Sequence, residues 1–540
     1  MIPILALILL GCLVYSDSFL NSFHLDDFVG IVNNYSIRDL SHLSDMWAHE
    51  PTRFVTSLTF AFNYKLGGFN VIGFHLLNLM IHVATAVLVW QLINLISSKD
   101  RWLSFSTAAI FLVHPLATQS VNYLYQRGVL LVAFFYVLSL VLYIKSIQEK
   151  KKALYAASLL CVILSFFCKE NAVSLPVMIV LYQWYFGEEE KFPWKRIGPY
   201  FLTLLVFPIV WLMPRLSTIK DFFHGTSNGM SVTDYALTQS RVILTYLKLL
   251  IVPLHQRIEY DYTLVTRLDV PTFLSISLIG ALIAIAFVLR QRFRLMSFGV
   301  LWFFLTLMPE SSFWPNNDLV YEHRAYLPLV GFAIFLSTLI FSLFNGDKRS
   351  VAIRILFIFL LVYSILTYQR NQVWRDELSL WDNTVHESPR SWRAYLNRGA
   401  AYQNQGDLDH ALADYNMIIG LGRLDPIALS NRGLIFATKG YPDLAMANYN
   451  LAIQIEPSYM GAYNNRGMLY AQEGKTDLAL ADLNKAMQEI RDNPWLYRSR
   501  GLLYRSKGMN KLAIADFDQA IKLLPTEPEF YKLKSETPDP

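Results

Sequence analysis

FHLLNLMIHVATAVLVWQLINLIS, residues 74–97, contains no Asp, Glu, Lys or Arg. A bilayer core about 30 Å thick takes roughly 20 apolar helical residues to cross, so the stretch predicts a membrane-spanning helix. Its polar residues His75, Asn78 and His82 recur at i, i+3 and i+7 and share one helical face. That predicts a polar stripe turned into a helix bundle and hydrogen-bonded to its neighbours. The two histidines stand about 10.5 Å apart along the axis, at 1.5 Å per residue, too far to share one metal ion.

Similar apolar segments occur near 1–20, 103–117, 128–146, 153–169, 171–187, 197–213, 238–254, 272–289, 295–309, 325–344 and 352–369. Of the 540 residues 54% are hydrophobic and 16% charged, with mean hydropathy +0.32, against about 25% charged in soluble domains. Residues 1–370 form the apolar part and 371–540 read as soluble. Cys12, Cys161 and Cys168 fall in or at the end of apolar runs, so no disulfide framework is implied. Leu9-Leu10-Gly11-Cys12 looks like a lipoprotein cleavage box, but no basic stretch precedes it, and residues 1–20 are read as an uncleaved first span.

The net charge of +5 does not indicate nucleic acid, because in the apolar part the cations cluster in short loops. The clusters at Lys99/Arg101, Lys145/Lys150, Lys191/Lys195, Arg290/Arg294 and Lys348/Arg349 belong on the cytoplasmic side by the positive-inside rule. All of them do so only if segment 238–254, which carries Arg241 and Lys248 and ends at Pro253-Leu254-His255, stays at the outer face. The expectation is eleven crossings, the N-terminus inside, and the C-terminal domain outside with loops 21–73, 118–127, 214–271 and 310–323.

Farther along, Arg398, Arg432, Arg466 and Arg500 are spaced by 34 residues, as are Gly406, Gly440, Gly474 and Gly508, and Ala411, Ala445, Ala479 and Ala513. A 34-residue period with Gly, Tyr and Ala at fixed offsets is the tetratricopeptide signature. It predicts four helix pairs over 392–527, after a linker at 371–391 and before a tail at 528–540. Stacked pairs present a concave surface suited to a polypeptide or partner protein. The repeat arginines are read either as internal partners of Asp414, Asp482 and Asp516 or as ligand-binding groups.

Residues able to carry chemistry gather in the outer loops. His24-Leu25-Asp26-Asp27 puts two carboxylates just beyond the first span; one can serve as general base towards a hydroxyl, or the pair can be a solvated loop or a helix cap. Arg127, Lys169 and Arg324 are outer cations able to hold a phosphate leaving group, or else to anchor at the interface or pair locally, Lys169 with Glu170 and Arg324 with Glu322. His24, His75, His114, Glu322 and His323 are candidates to line the same site. No zinc-ligand spacing, Walker loop or Ser-His-Asp set is present, so neither metal nor cofactor is expected.

The order of these landmarks resembles the transmembrane and tetratricopeptide-repeat O-mannosyltransferases, relatives of the protein O-mannosyltransferases. They are His24-Leu25-Asp26-Asp27, Arg53 to Thr59, Asn63 to Asn78, His114-Pro115, Arg127, Lys169-Glu170, and Glu322-His323-Arg324 followed by Tyr326-Leu327-Pro328 and the repeats. The resemblance covers nearly the whole chain. It implies an all-α fold with a GT-C-type transmembrane bundle followed by an α-solenoid, and a polyprenyl- or dolichyl-phosphate sugar as donor. It also implies inverting transfer to Ser/Thr hydroxyls of an extracytoplasmic protein. Asp26 would be the base, with Asp27 in place of a glutamate, and Arg127, Arg324 and Lys169 would neutralise the lipid phosphate. Four repeats are fewer than in animal members, which points to a bacterial relative in a cytoplasmic membrane. Two other readings stay open: a transferase acting on a lipid or glycan, and a non-catalytic membrane-anchored scaffold.

Overall fold

The structure is a computed structural model describing residues 2–187, 191–206, 230–312, 315–316, 318–489, 493–525 and 527–538. Segment 197–213 beyond residue 206, residues 214–229 of the expected loop 214–271, and 313, 314 and 317 of loop 310–323 lie outside the described residues. Every regular element among the described residues is a helix, so the all-α class holds. The chain divides into two compact units, Met1–Glu387 and Ser388–Pro540.

In the first unit the helices are α1 Ile2–Val14, α2 Phe54–Gly67, α3 Val71–Ile96, α4 Arg101–Val113, α5 Arg127–Gln148, α6 Lys152–Phe166 and α7 Leu175–Phe186. They continue as α8 Trp194–Leu202, α9 Val232–Ile251, α10 Val270–Val288, α11 Arg294–Leu307, α12 Tyr326–Leu343, α13 Arg349–Val373 and α14 Glu377–Glu387. Their limits follow local chemistry. The Asn70 side chain accepts the Ile72 N–H to cap α3, and Asp100 accepts the Leu103 N–H to cap α4. Pro115 directly follows the end of α4 at His114, because the residue before a proline is driven out of helical geometry. Among the described residues, five helical segments are long and apolar enough to cross a membrane: Val71–Ile96, Leu124–Gln148, Val270–Val288, Glu322–Leu343 and Gly346–Val373. The apolar helices α1, α4, α6 and α11 are shorter, at 13–15 residues.

The polar stripe of α3 is buried and bonded to its neighbours. His75 Nε2 lies 3.0 Å from the Asn21 carbonyl oxygen, and Asn78 donates to the Val121 carbonyl at 3.1 Å. His82 has its Nε2 3.0 Å from the Leu112 carbonyl and its Nδ1 2.6 Å from the Tyr326 hydroxyl. A carbonyl can only accept, so Nε2 carries the proton and Nδ1 accepts from Tyr326. These bonds tie α3 to α4, α12 and the loop after α1. Helices α11 and α12 come closest at Gly299 and Gly331. A Cβ on either would stand 2.5–2.6 Å from the other's carbonyl oxygen, so only glycine permits this crossing.

Helix α9 lies across the loop end of the bundle. The Tyr235 hydroxyl donates to the Glu310 carbonyl, the Tyr246 hydroxyl to the Tyr321 carbonyl, and the Leu250 carbonyl faces His114 Nε2 at 2.9 Å. The chain after it returns to the same end, where Gln256 donates to Glu322. Asn34, which with Tyr35 and Ser36 forms an Asn-x-Ser glycosylation sequon in the first loop, is buried, with its amide bonded to the Gly30 carbonyl and its oxygen to Ser36.

The second unit is four antiparallel helix pairs between Trp392 and Leu523. Gly406, Gly440, Gly474 and Gly508 make the turn inside each pair with φ of +70° to +82°, a conformation natural only to glycine. Arg398, Arg466 and Arg500 fork onto Asp414, Asp482 and Asp516 through Nε and Nη2 at 2.7–2.9 Å. In the second repeat Arg432 meets Asn448 instead. A closing helix, Pro528–Ser535, lies in the tail, with Phe530 against Trp495 at 5.1 Å between ring centroids. Of the stretch 371–391, α13 takes the start and α14 takes 377–387.

Candidate functional site

The two adjacent aspartates have opposite surroundings. Asp27 is fully buried and works as a brace: its Oδ2 accepts the His24 N–H at 2.9 Å and its Oδ1 the Tyr125 N–H at 2.6 Å. Together these bonds close the acidic loop against the turn before α5. Burial pushes the Asp27 carboxyl up to about 7, against the pull of those N–H groups and of His24. Asp26, one residue earlier, is exposed. Its own N–H donates to the Tyr123 hydroxyl at 3.0 Å, and that hydroxyl in turn bonds the Asp26 carboxylate.

His24 is buried behind this loop, with Nδ1 3.0 Å from Glu377 Oε1 and Nε2 2.7 Å from the Trp374 carbonyl. Burial works against its charge, but the Glu377 bond and the charges of Glu377 and Asp27 outweigh it and raise its pKa. His24 and Asp27 therefore both bind their protons more tightly folded than unfolded. For Asp27 stability falls as pH rises from 3.8 to about 7; for His24 it is complete below 6.5 and falls as pH passes the raised value. The melting temperature is expected to decline from mildly acidic to mildly basic pH, and a His24→Gln, Asp27→Asn double variant should show a flatter profile. An equally steep profile in the variant would remove these groups from the account.

The Asp26 carboxylate acts on Arg53, and further cations follow through His323. Arg53, just before α2, has its Nε 3.2 Å from Glu50 Oε1 and its guanidinium 4.6 Å from the centre of the Tyr125 ring. Burial opposes its charge, but Tyr125, Glu50, Glu170 and Asp26 hold it firmly charged. Lys169 is buried and pairs with Glu310 at 2.6 Å. Arg324, also buried, donates to the Asp318 carbonyl at 2.8 Å, the Leu319 carbonyl at 3.3 Å and the Tyr235 hydroxyl at 3.4 Å. Between them lies His323, within electrostatic reach of Lys169, Arg324 and Arg53. Its ring stacks on Tyr321 at 4.9 Å, and its buried Nδ1 has no partner among the described residues. Tyr321 in turn feels the Asp26 charge. The structure thus brings Asp26, Arg53, His323, Lys169 and Arg324 to one face.

Other residues expected at the site lie behind it. Arg127 is fully buried: its Nε donates to Asn78 Oδ1 at 2.6 Å, its Nη1 to Asn63 Oδ1 at 2.6 Å and Thr59 Oγ1 at 3.2 Å, and its Nη2 to the Phe74 carbonyl at 3.0 Å. Its ring-like plane lies 4.5 Å from the Phe60 ring centre. His75 is buried beneath the acidic loop. His114 is buried and spends both nitrogens, Nε2 on the Leu250 carbonyl and Nδ1 on the Leu116 N–H at 3.2 Å. Glu322 turns from Arg324 to the chain after α9, accepting from Gln256 at 2.9 Å, the Arg257 N–H at 2.8 Å and the Tyr260 hydroxyl at 2.7 Å. No group of three or more His, Cys, Asp or Glu arranged to hold a metal ion occurs among the described residues.

The sequence reading assigned no role to Arg53, Tyr123, Tyr321 or Glu310. Arg53 carried a usable signal, a cation in an outer loop directly before a helix. Glu310, an acid at the end of an apolar run, carried a weaker one.

The tetratricopeptide-repeat family model matches residues 393–421, 427–459, 461–493 and 497–526. Protein O-mannosyl-transferase Tmtc3 of Drosophila melanogaster is 25% identical over 508 residues, covering 76% of this chain and 54% of its own length. Human protein O-mannosyl-transferase TMTC4 is 24% identical over 485 residues, covering 74% and 64%. The chain spans between about half and two thirds of the length of these curated relatives. Their names are those of the group that the landmarks resemble. Among solved structures, a thermophilic TPR protein of Thermus thermophilus is 20% identical over 33% of this chain and 94% of its own, with a TM-score of 0.28.

Proposed function

We propose that the protein is a membrane glycosyltransferase. It moves a sugar from a polyprenyl- or dolichyl-phosphate donor to Ser or Thr hydroxyls of an extracytoplasmic protein, with inversion. The observation that carries this reading is the division within the acidic pair: Asp27 is spent on bracing the loop, and Asp26 is left exposed within electrostatic reach of Arg53. Asp26 takes the hydroxyl proton as the acceptor oxygen attacks the anomeric carbon. The bond from that carbon to the phosphate oxygen breaks, and the lipid phosphate leaves as an anion. Lys169, Arg324 and Arg53, with the His323 Nδ1 among them, are placed to stabilise that developing charge. Arg127, committed on all sides, holds α2, α3 and α5 in register behind the acidic loop.

The lipid chain of the donor has a matching surface. A groove of about 690 Å³ between α7, α9, α10 and α11 is lined by Val180, Trp184, Ile283, Phe304 and Met308, and reaches Ser311 and Ser312, next to the Lys169 partner Glu310. The repeats serve to recruit the polypeptide. Eleven crossings with site and repeats outside, in a bacterial cytoplasmic membrane, complete the proposal; the return of α9 to the loop end supports the parity on which that count rests.

The test is incubation of purified protein in detergent with polyprenyl-phosphate mannose and related donors, offered Ser/Thr polypeptides in one arm and lipids or glycans in another. Label on a polypeptide hydroxyl is expected. Label only on lipid or glycan would replace the acceptor class, and no label with any pair would favour the scaffold reading.

A further inference from the structure

Arg370 is buried in the last turns of α13, 7% exposed. Its Nη1 donates to Asn383 Oδ1 at 2.7 Å, but its Nε and Nη2 are shut off from solvent with no partner among the described residues. Those two N–H groups are the parallel prongs that grip a carboxylate side-on. The same molecule shows the filled form of this fork three times, where Nε and Nη2 of Arg398, Arg466 and Arg500 hold Asp414, Asp482 and Asp516. A desolvated guanidinium with two unmet donors is costly, and none of the ion pairs of the described residues includes Arg370. Two carboxylates of the same region are engaged elsewhere. Glu322 accepts from Gln256, Arg257 and Tyr260, and Glu387 Oε2 stands 2.9 Å from His255 Nδ1.

The fork lies near the acidic loop. One turn beyond Arg370, the Trp374 carbonyl meets His24, and the Trp374 ring stacks 6.0 Å from Tyr123, whose hydroxyl accepts the Asp26 N–H. Tyr260 lies within electrostatic reach of both Arg370 and Arg257, and the Arg257 guanidinium lies 4.7 Å above its ring. We propose that Arg370 is an oxyanion subsite that takes the carboxylate of an Asp or Glu near the modified hydroxyl of the acceptor polypeptide. A single guanidinium with two parallel donors suits a singly charged carboxylate better than a phosphate, whose cations stand around His323. Entry requires local movement around Arg370, since neither prong is open to solvent. This inference rests on the polypeptide acceptor proposed above.

The test reads binding without the reaction. Melting of the purified full chain is followed in titrations of N-acetyl-Ser-Glu-amide, its Ser-Gln counterpart, and inorganic phosphate. A ligand that binds only the folded state raises the melting temperature saturably. The Glu peptide is expected to do so with wild type, the Gln peptide not, and Arg370→Gln should abolish the response. Arg370→Lys should leave a weaker one, because a lysine offers a point charge in place of a fork. An equal or larger response to phosphate would overturn the carboxylate assignment. No response to any ligand, or an undiminished one in Arg370→Gln, would overturn the subsite. Where transfer is measurable, the wild-type preference for acidic over amide acceptors, about tenfold or more in kcat/KM and carried by KM, should fall towards one in Arg370→Gln. A binding response without transfer to any polypeptide would sink the proposed reaction while leaving the subsite standing.

Discussion

Arg127→Met is expected to destabilise the apolar unit more than any other single change considered. The guanidinium satisfies four acceptors, the buried side chains of Asn78 and Asn63, the buried Phe74 carbonyl and the half-buried Thr59 hydroxyl. Methionine fills similar space and satisfies none of them. Each orphaned group costs about 1–3 kcal/mol. Removing a desolvated charge offsets part of that, and losses of about 3–5 kcal/mol are typical when a buried charged network is broken. The readout is the thermal midpoint of the purified protein in detergent, which should drop sharply. Arg127→Lys should recover only part of the loss, since one ammonium cannot reach acceptors on two helices. Wild-type melting combined with a raised KM for the lipid donor would return Arg127 to the phosphate-binding role first expected from the sequence.

Asp26→Asn is expected to keep the fold and remove most of the catalysis. The side chain is exposed, its backbone N–H bond to Tyr123 is unchanged, and the amide oxygen can still accept from the Tyr123 hydroxyl that the carboxylate now bonds, so the amide leaves the loop intact. A general base contributes about 10²–10⁴-fold in rate, and kcat should fall by that amount with little change in melting. Asp27→Asn should behave in the opposite sense. An amide can present only one oxygen to the two N–H groups that the carboxylate now holds, so loop stability drops first and transfer follows.

Periodicity made most of the architecture legible. The 34-residue spacing of Arg398, Gly406 and Ala411 located the helix pairs, and apolar runs located the helices from α1 to α13 except α2, which lies in the stretch 21–73 expected as an outer loop, because burial on one face leaves a repeating mark along the chain. The stripe of His75, Asn78 and His82 was legible for the same reason. The partners of buried polar groups were not. Nothing near Lys169 in sequence marks Glu310, nothing near His24 marks Glu377, and Arg127 read like any outer cation until the acceptors from α2 and α3 closed around it. Those pairings depend on where distant helices end in space. The adjacent aspartates were visible as a pair, but only the N–H groups of His24 and Tyr125 distinguish the brace from the exposed acid.

The most direct measurement is sugar transfer from a polyprenyl-phosphate donor to a Ser/Thr polypeptide by purified wild type and Asp26→Asn, with melting curves recorded on the same samples. The account predicts transfer by wild type, transfer reduced at least a hundredfold in the variant, and matching melting curves. Transfer undiminished in a normally folded Asp26→Asn protein would contradict it.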